Sequence, residues 1–502
     1  MERTNQRHDR WGGSYENRMR FPLEVMRRIR EAVGDDFILI FRIAAMDMLD
    51  GGMSWDEIVT LAQALEKIGV NIISTHFVWH EAAVPTIATM VPRAAFTRVT
   101  ARLRRELGIP VITSNRINMP DVAEQVLDRG DADIVSMARP MLADAELVKK
   151  AAEGREDEIN TCIACNQACL DHSFDHNKHV SCLVNPRACH ETELTYPPVA
   201  APRKIAVIGA GPAGLASATI AAERGHQVTL FDAASEIGGQ FNLAKRIPGK
   251  EEFYETLRYY GRMIEVHDVD LQLNTRVTAD MLKGGGFDEI VVATGITPRT
   301  PDIPGIGHAK VVSYIDVITG RAAVGEKVAI MGAGGIGFDV AELITQDGPS
   351  ASLDVDLFAK EWGVDFENHP RGGVTGVEPE VHRAKRDVLL MQRKSTPVGK
   401  GLGKTTGWTH RISLSRRGVK MVNGVEYVSI DDNGLHCLID YKPETLDVDT
   451  VIVCAGQLSD RTLFDELETA GLAPRLIGGA FEAGELDAKR AIYQASHLAA
   501  EL

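Results

Sequence analysis

At 502 residues the chain exceeds a single hydrophobic core, and a domain size of about 150 residues divides it into about three domains. Hydrophobic residues make up 44% and charged residues 25%, which excludes disordered, collagen-like and coiled-coil proteins. A net charge of −15 argues against nucleic-acid binding, and neither a membrane-length apolar run nor a secretory leader is present, so a cytoplasmic protein is expected.

In chain order, the first third alternates short apolar runs with amphipathic stretches. FILIFRI (37–43) predicts a strand and SWDEIVTLAQALEKIG (54–69) a helix. NIISTHF (71–77), a helix near 94–107, PVITSN (110–115), a helix over 120–129 and DIVSMAR (133–139) continue the alternation. Units of about 30 residues with buried apolar strands predict parallel β/α architecture. From about 156 to 200 the periodicity breaks into Cys, His, Asn and Pro, as expected of a connector tied by a cofactor.

Five of the seven cysteines lie between 162 and 189, too local and too odd in number for a disulfide framework. Cys162, Cys165, Cys169 and Cys182 follow C-x2-C-x3-C-x12-C. Three thiolates so close in sequence meet at one centre only if the chain wraps it, and the fourth closes the site. Four Cys ligands suit zinc or an iron–sulfur cluster. The three-then-one arrangement, without two separated C-x2-C knuckles, favours [4Fe-4S]. Cys189, Cys437 and Cys454 fit no ligand spacing and read as structural.

KIAVIGAG (204–211) opens a second block and KVAIMGAGGIG (327–337) a third, each a strand, a Gly-rich turn and a helix. VDTVIVCAG (448–456) echoes FDEIVVATG (287–295), so the third block is expected inside the second. Gly209, Gly211 and Gly214 form G-x-G-x-x-G directly after a strand, and Gly211 lets the backbone approach a pyrophosphate seated on the next helix N-terminus. Asp232 ends the following strand, where a carboxylate accepts from a ribose hydroxyl.

The second fingerprint is Gly332, Gly334 and Gly337. Its candidate second strand, DVLLMQRK (387–394), ends in Arg393 and Lys394 with no acid. A basic pair binds a 2′-phosphate that a carboxylate repels, so this site points to NADPH over NADH; the alternative is a solvated basic strand end. GKGLGKTTGW (399–408) imitates the tail of a P-loop through Gly403, Lys404 and Thr405. Val398 stands where the first Gly belongs, and the block neither follows a strand directly nor opens a clear helix, so nucleotide hydrolysis is rejected.

With its four-Cys motif between a β/α segment and paired dinucleotide folds, the chain resembles the bacterial NADPH-dependent 2,4-dienoyl-CoA reductases. These belong with the old yellow enzyme and trimethylamine dehydrogenase flavoproteins. The resemblance covers nearly every residue. Its most specific pieces are RTNQRHDRWGGSYENRMRF (3–21), WHEAAVPTIATMVPRAAF (79–96), INTCIACNQACLDH (159–172), SCLVNPRACHE (181–191) and EIGGQFNLAKRIPGKEEFYETLRYY (236–260). GLGKTTGW (401–408) also looks like the family, which accounts for the false P-loop.

The resemblance implies an α/β chain of four parts. These are the C-terminal half of a TIM (β/α)8 barrel that binds FMN (1–155), an iron–sulfur connector (156–200), an FAD-binding Rossmann-like domain (201–300 and 452–502) and, inserted in it, an NADPH-binding domain (301–451). It implies electron flow from NADPH through FAD, the [4Fe-4S] cluster and FMN to a small acyl-CoA substrate, a 2,4-dienoyl thioester. Flavins convert between hydride and single-electron transfer, and a cluster carries one electron at a time, which fits that order.

Residue by residue, Arg42, read as ending its strand, matches the family's cationic contact to the flavin ring. Asn115 and Arg116, with Ala138 and Arg139, match its FMN phosphate grip; the plain alternative is strand-end salt bridges. His80 matches the active-site histidine near the thioester carbonyl, although a loop histidine on its own is more often structural. Glu81 supports it, and Asn5 and Arg7 lie in a substrate-contacting loop. On FAD, Gly211, Ala213, Asp232 and Gln240 match family contacts, with Gly479 and the helix start at Asp487-Ala488 as its second flavin motif. On NADPH, Gly334, Gly335, Arg393 and Lys394 are the candidates.

The chain begins inside the family pattern. An eight-stranded barrel needs about 250 residues, but only four strands precede the connector. The expected proton donor belongs to a stretch before RTNQR, so no residue here takes that role. An open half-barrel is expected to self-associate through its edges. The competing readings are an electron-transfer module of NADPH, FAD and cluster, and another enoate or amine oxidoreductase of the superfamily.

Overall fold

The apolar runs of the first third form four parallel strands, β1 (Ile40–Met46), β2 (Ile72–Phe77), β3 (Val111–Thr113) and β4 (Ile134–Val135), paired in the order β1-β2-β3-β4. The structure is a computed structural model describing residues 1–79, 81–368, 370–484 and 487–502. In it the strands belong to the first of two compact units, Met1–Pro140 with Pro349–Val381; the second is Met141–Gly348 with His382–Leu502. β1 is displaced from the expected 37–43. The register from Ile40↔Ile72 onward carries it to Met46, and Phe37 and Ile38 are left exposed.

Four helices flank this sheet: α1 (Tyr15–Val33), α2 (Trp55–Lys67), α3 (Thr97–Arg104) and α4 (Pro120–Asp128). α2 starts on a capping box, with Ser54 Oγ accepting from Glu57 N and Glu57 Oε2 accepting from Ser54 N. Its Ile58, Leu61, Ala62 and Leu65 pack with Ile43 and Ile73 of β1 and β2. Helix α1 escapes the sequence reading because its apolar residues fall on two faces. Met19, Leu23 and Met26 join the core, whereas Phe21, Val25, Ile29 and Val33 are exposed, and Pro22 interrupts the pattern.

The stretch 349–381 departs from its expected place in the nucleotide domain 301–451 and packs within the first unit. Its helix Val355–Trp362 sets Phe358 edge-on to Phe96, and Phe366 meets the same ring. Gly372 N donates to Met53 O and Gly372 O accepts from Met48 N, at 2.9 and 2.8 Å. Gly372 has φ +67°, and a Cβ there would collide with Leu49 O, so both conformation and space demand glycine.

In the second unit, β5 (Lys204–Ile208), β6 (Gln227–Phe231), β7 (Asp270–Gln272) and β8 (Glu289–Val292) join β19 (Arg475–Leu476) in a parallel sheet ordered β19-β8-β5-β6-β7. A second parallel sheet, ordered β10-β17-β11-β12-β13, contains β10 (Val311–Ser313), β11 (Lys327–Met331), β12 (Asp387–Met391), β13 (Lys420–Val422) and β17 (Thr450–Val453). Antiparallel β9 (Ile296–Pro298) and β18 (Gln457–Ser459) pair where the chain passes between the two folds. β14 (Val425–Asp431), β15 (Gly434–Ile439) and β16 (Lys442–Leu446) form a three-stranded antiparallel sheet.

The expected insertion is visible in this order, since β10 to β17 interrupt a sheet that resumes with β19. Because β17 pairs with both β10 and β11, residues up to 453 belong to the inserted fold, and the expected boundary at 451/452 runs through a strand. The block 399–408 is followed directly by the helix Gly407–Arg416, contrary to the expectation that it opens none. Among the described residues no helix is long and apolar enough to cross a membrane.

Candidate functional site

The two Gly-rich turns are built alike. Gly209 (φ +107°) and Gly332 (φ +115°) turn the chain out of β5 and β11 so closely that a Cβ would strike Ala293 O or Cys454 O, the residues just after β8 and β17. Gly214 and Gly337 press the following helices onto Gly209 O and Gly332 O, again without room for a Cβ. Between them Gly211 and Gly334 face open space. Each turn therefore has two glycines required by packing and one that leaves open space beside the helix start. The helices Pro212–Glu223 and Gly335–Thr345 start with no side-chain cap, leaving N–H groups for an anion.

Around the first turn the chain gathers four more segments. Asp232 Oδ2 accepts from Ala210 N at 2.6 Å and Oδ1 from Ala234 N at 2.7 Å, fixing a carboxylate beside Gly209. The Gly238-Gly239 turn lies on Gly211, with Gly238 N donating to Ala210 O, and brings Gln240 to the site. Gly478 fits against Ala213, and Gly479 against Gly295 and Ile296, each too tightly for a Cβ. Asp487 caps the helix Ala488–Glu501 through Lys489 N. These separations predict opposite outcomes for two alanines. If this turn holds the FAD pyrophosphate, Gly211→Ala is expected to keep the fold and lower FAD affinity about tenfold or more. Gly214→Ala destabilises the protein by about 1–3 kcal/mol through overpacking. Thermal melts beside flavin titrations check both.

At the second turn the register decides what replaces the acid. Ile208 pairs with Phe231, which puts Asp232 opposite Gly209; Met331 pairs with Met391, which puts Gln392 opposite Gly332. Gln392 turns its amide to Lys394 O and Thr396 O, and Arg393 and Lys394 follow it, exposed. Gly335 begins the helix beyond Gly334. Tyr427 on β14 lies within the field of Arg393, and burial pushes its phenol well above the ordinary range.

The four cysteines of the motif lie on a connector packed into the core of the first nucleotide fold. Cys162, Cys165 and Cys182 contact the cluster that includes Val207, Leu215 and Val291. The backbone curls between them through Ala164 (φ +54°) and Asn166 (φ +62°), left-handed conformations that L-residues seldom adopt. Burial, then the neighbouring Cys182, Cys162 and Cys169, raises the Cys165 thiol well above its usual value. Burial and then Cys162 push Cys182 up to about 12. None of the seven cysteines is in a disulfide. Among the described residues, no group of three or more His, Cys, Asp or Glu side chains is placed to hold a metal ion.

In the first unit, Asn115, Arg116, Ala138 and Arg139 follow the carboxyl ends of β3 and β4. Arg42 lies inside β1 rather than at its end, because the strand runs on to Met46. Its guanidinium lies 3.1 Å from His76 Nδ1 on β2, a residue the sequence reading missed. Burial, then the Arg42 charge, lowers the His76 pKa. An arginine can only donate, so His76 Nδ1 accepts and Nε2 carries the proton. The strict alternation along β2, with Ile72, Ser74 and His76 less buried than Ile73, Thr75 and Phe77, was the available signal.

Loops leaving β1, β2 and β3 hold Met48, Val78, Asn115 and Arg116, all at positive φ. Strain at one edge of a parallel sheet marks the edge where such sheets bind ligands. Arg116 is buried, with Nε donating to Val91 O. Asn115 accepts from Ser114 Oγ, and Ala138 and Arg139 follow the neighbouring β4. Asn5 donates to Trp11 O, and Arg7 pairs with Asp9, whose carboxyl it holds down at about 2. Glu81 meets Arg3 at 3.4 Å. His80 lies outside the described residues.

Residues 1–158 match the NADH:flavin oxidoreductase / NADH oxidase family, and residues 203–479 match the pyridine nucleotide-disulphide oxidoreductases. A metal reductase of Desulforamulus reducens is 37% identical over 469 residues, covering 93% of this chain and 69% of its own length. An NADH oxidase of Thermoanaerobacter brockii is 35% identical over 363 residues, covering 70% of this chain and 55% of its own length, so the chain matches about half of that relative. The structure of a 2-naphthoyl-CoA reductase with 2-naphthoyl-CoA superposes with a TM-score of 0.87 at 30% identity, covering 99% of this chain and 70% of that one.

Proposed function

The chain belongs to the flavin oxidoreductases that join an NADH:flavin oxidoreductase segment to a pyridine nucleotide-disulphide oxidoreductase fold, and from that premise we propose that it serves an NADPH-dependent reduction of a 2,4-dienoyl-CoA thioester. The observation that carries the reading is the pairing of two like glycine turns in one compact unit, one closed by Asp232 and the other followed by Arg393-Lys394. The four-cysteine connector packs into the core of the first. FAD is assigned to Gly209–Gly214 with Asp232, Gln240 and Gly479, and NADPH to Gly332–Gly337 with the basic pair. The [4Fe-4S] cluster is assigned to the four thiols, and FMN to the carboxyl edge of β1 to β4. When bound, these groups supply hydride acceptance, single-electron passage and hydride delivery to a conjugated acceptor.

Several features support these assignments. Gly211 and Gly334 leave the space a pyrophosphate needs, beside uncapped helix starts. A four-iron cluster takes one thiolate on each iron, so its sulfurs need not close on a single point as zinc ligands must. As thiolates, four such neighbouring sulfurs would require the positive charge that iron supplies. Arg42, oriented by His76, presents a fixed cation to negative charge on the flavin ring. The sequential order β1-β2-β3-β4 is that of a (β/α) barrel, whereas doubly wound sheets reverse. A role for His80, supported by Glu81, at the thioester carbonyl remains part of the proposal. The open edges of the sheet, β1 and β4, are the proposed surface for self-association.

Support for a CoA thioester comes from the 30%-identical reductase solved with 2-naphthoyl-CoA. The test is to denature the purified chain, identify the released flavins, and titrate the native chain with a 2,4-dienoyl-CoA while following the FMN spectrum. FAD with FMN, and a spectral perturbation by the thioester, are expected. FAD alone would move the reading to an electron-delivery module serving another protein. Neither flavin would end both readings.

A further inference from the structure

The segment that imitates a P-loop makes contacts that nucleotide chemistry does not explain. Thr405 donates twice to Asp171 Oδ1, from its backbone N at 2.8 Å and from Oγ1 at 2.6 Å. Lys404 Nζ donates to Phe174 O at 3.2 Å. A Cβ on Gly403 would come within 2.8 Å of Asp171 Oδ2, so the glycine allows the approach. Gly407 N donates to Gly403 O and Trp408 Nε1 to Thr405 O, which closes the turn on itself before the helix Gly407–Arg416.

Asp171 and Phe174 belong to the connector, where the short helix Leu170–Ser173 follows Cys169. The same piece is tied from its other sides. Asp171 N donates to Asn166 O, Ser173 N to Cys169 O and Ser181 N to Ala168 O, and His172 lies between His179 O and Lys489 Nζ. The bond from Ser181 N to Ala168 O ties the backbone beside Cys182 to the backbone beside Cys169. The side supplied by the inserted fold is Gly403-Lys404-Thr405. The loop that ends there starts at Arg393 and Lys394, the proposed 2′-phosphate pair.

We propose that the Gly403-Lys404-Thr405 turn is a latch that positions Cys169 through Asp171, so that the NADPH-binding fold itself holds the third cysteine of the cluster in place. The proposal rests on the reading that the four cysteines hold iron. Thr405 and Asp171 are positioning residues: they touch no reacting atom, and they act by restricting the backbone that carries Cys169. Partners that orient metal ligands typically change metal retention 10- to 100-fold when removed.

The test uses the full chain with its iron. Thr405→Val keeps the side-chain shape and removes the hydroxyl donor, Asp171→Ala removes the acceptor, and Thr405→Ser restores the donor. Two readouts are taken: the rate of iron release to a chelator, and amide hydrogen exchange over residues 166–174. Iron release about tenfold faster or more in Thr405→Val and Asp171→Ala, with faster exchange and a return toward the parent rate in Thr405→Ser, is expected. NADPH reduction of FAD should stay unchanged in all three. A parent chain with full iron and variants equal to it in both readouts would overturn the latch and leave the cluster reading standing. A parent chain without iron would overturn both.

Discussion

On the proposed assignment of a [4Fe-4S] cluster to the four cysteines, replacement of Cys165 by Ser is expected to abolish the cluster's visible absorbance while NADPH still reduces FAD. Cys165 feels all three other thiols of the motif, with Cys182, Cys162 and Cys169 each raising its pKa in addition to burial. A serine hydroxyl in that apolar wall is a far poorer iron ligand, and the left-handed turns at Ala164 and Asn166 leave the backbone no slack to bring another group forward. Cys189, the nearest further cysteine in sequence, is exposed and itself left-handed (φ +64°), so it is poorly placed to substitute. The glycine turns, Asp232 and the basic pair are untouched by the change. Iron analysis and dye reduction by NADPH together check it. A full complement of four irons in the variant would remove Cys165 from the ligand set.

What the sequence disclosed and what it hid divide by distance along the chain. The glycine turns were legible because strand, turn and helix are neighbours, and Gly214 and Gly337 meet the carbonyl of the first glycine of their own turn, a local reason that spacing encodes. The likeness of 287–295 to 448–456 was legible for the same reason: β8 and β17 are both strands that lie beside a glycine-turn strand, β5 or β11. The first-unit helices with one apolar face were found. Helix α1, with apolar residues on two faces, was not. The excursion of 349–381 carries no local signal, since its anchors, Phe96, Met53 and Leu49, lie some 250 or more positions earlier. The tie from Thr405 to Asp171 spans 234 positions and was mistaken for a failed P-loop. His76 was concealed in plain alternation, where only the neighbouring strand reveals that it meets Arg42.

The basic pair bears the second large expectation. Replacing Arg393 and Lys394 together by Ala should weaken NADPH binding about 100-fold or more, if two charge-assisted contacts to the 2′-phosphate add. NADH, which lacks that phosphate, should change little. The position opposite Gly332 is Gln392, whose amide is spent on Lys394 O and Thr396 O. No carboxylate stands where Asp232 stands in the first fold, so nothing there repels a phosphate. Both basic side chains are exposed in the absence of ligand, so their attraction should shrink as salt rises, and the gap between the two nucleotides should narrow with it. Gln392→Asp supplies the complementary change. A carboxylate at that point should lower NADPH affinity by repulsion and favour the ribose hydroxyl of NADH. Stopped-flow reduction of FAD over a range of each nucleotide, at low and high salt, gives the four affinities needed. Equal losses for NADPH and NADH in the double alanine variant, at both salt concentrations, would mean that the pair only shapes the end of β12.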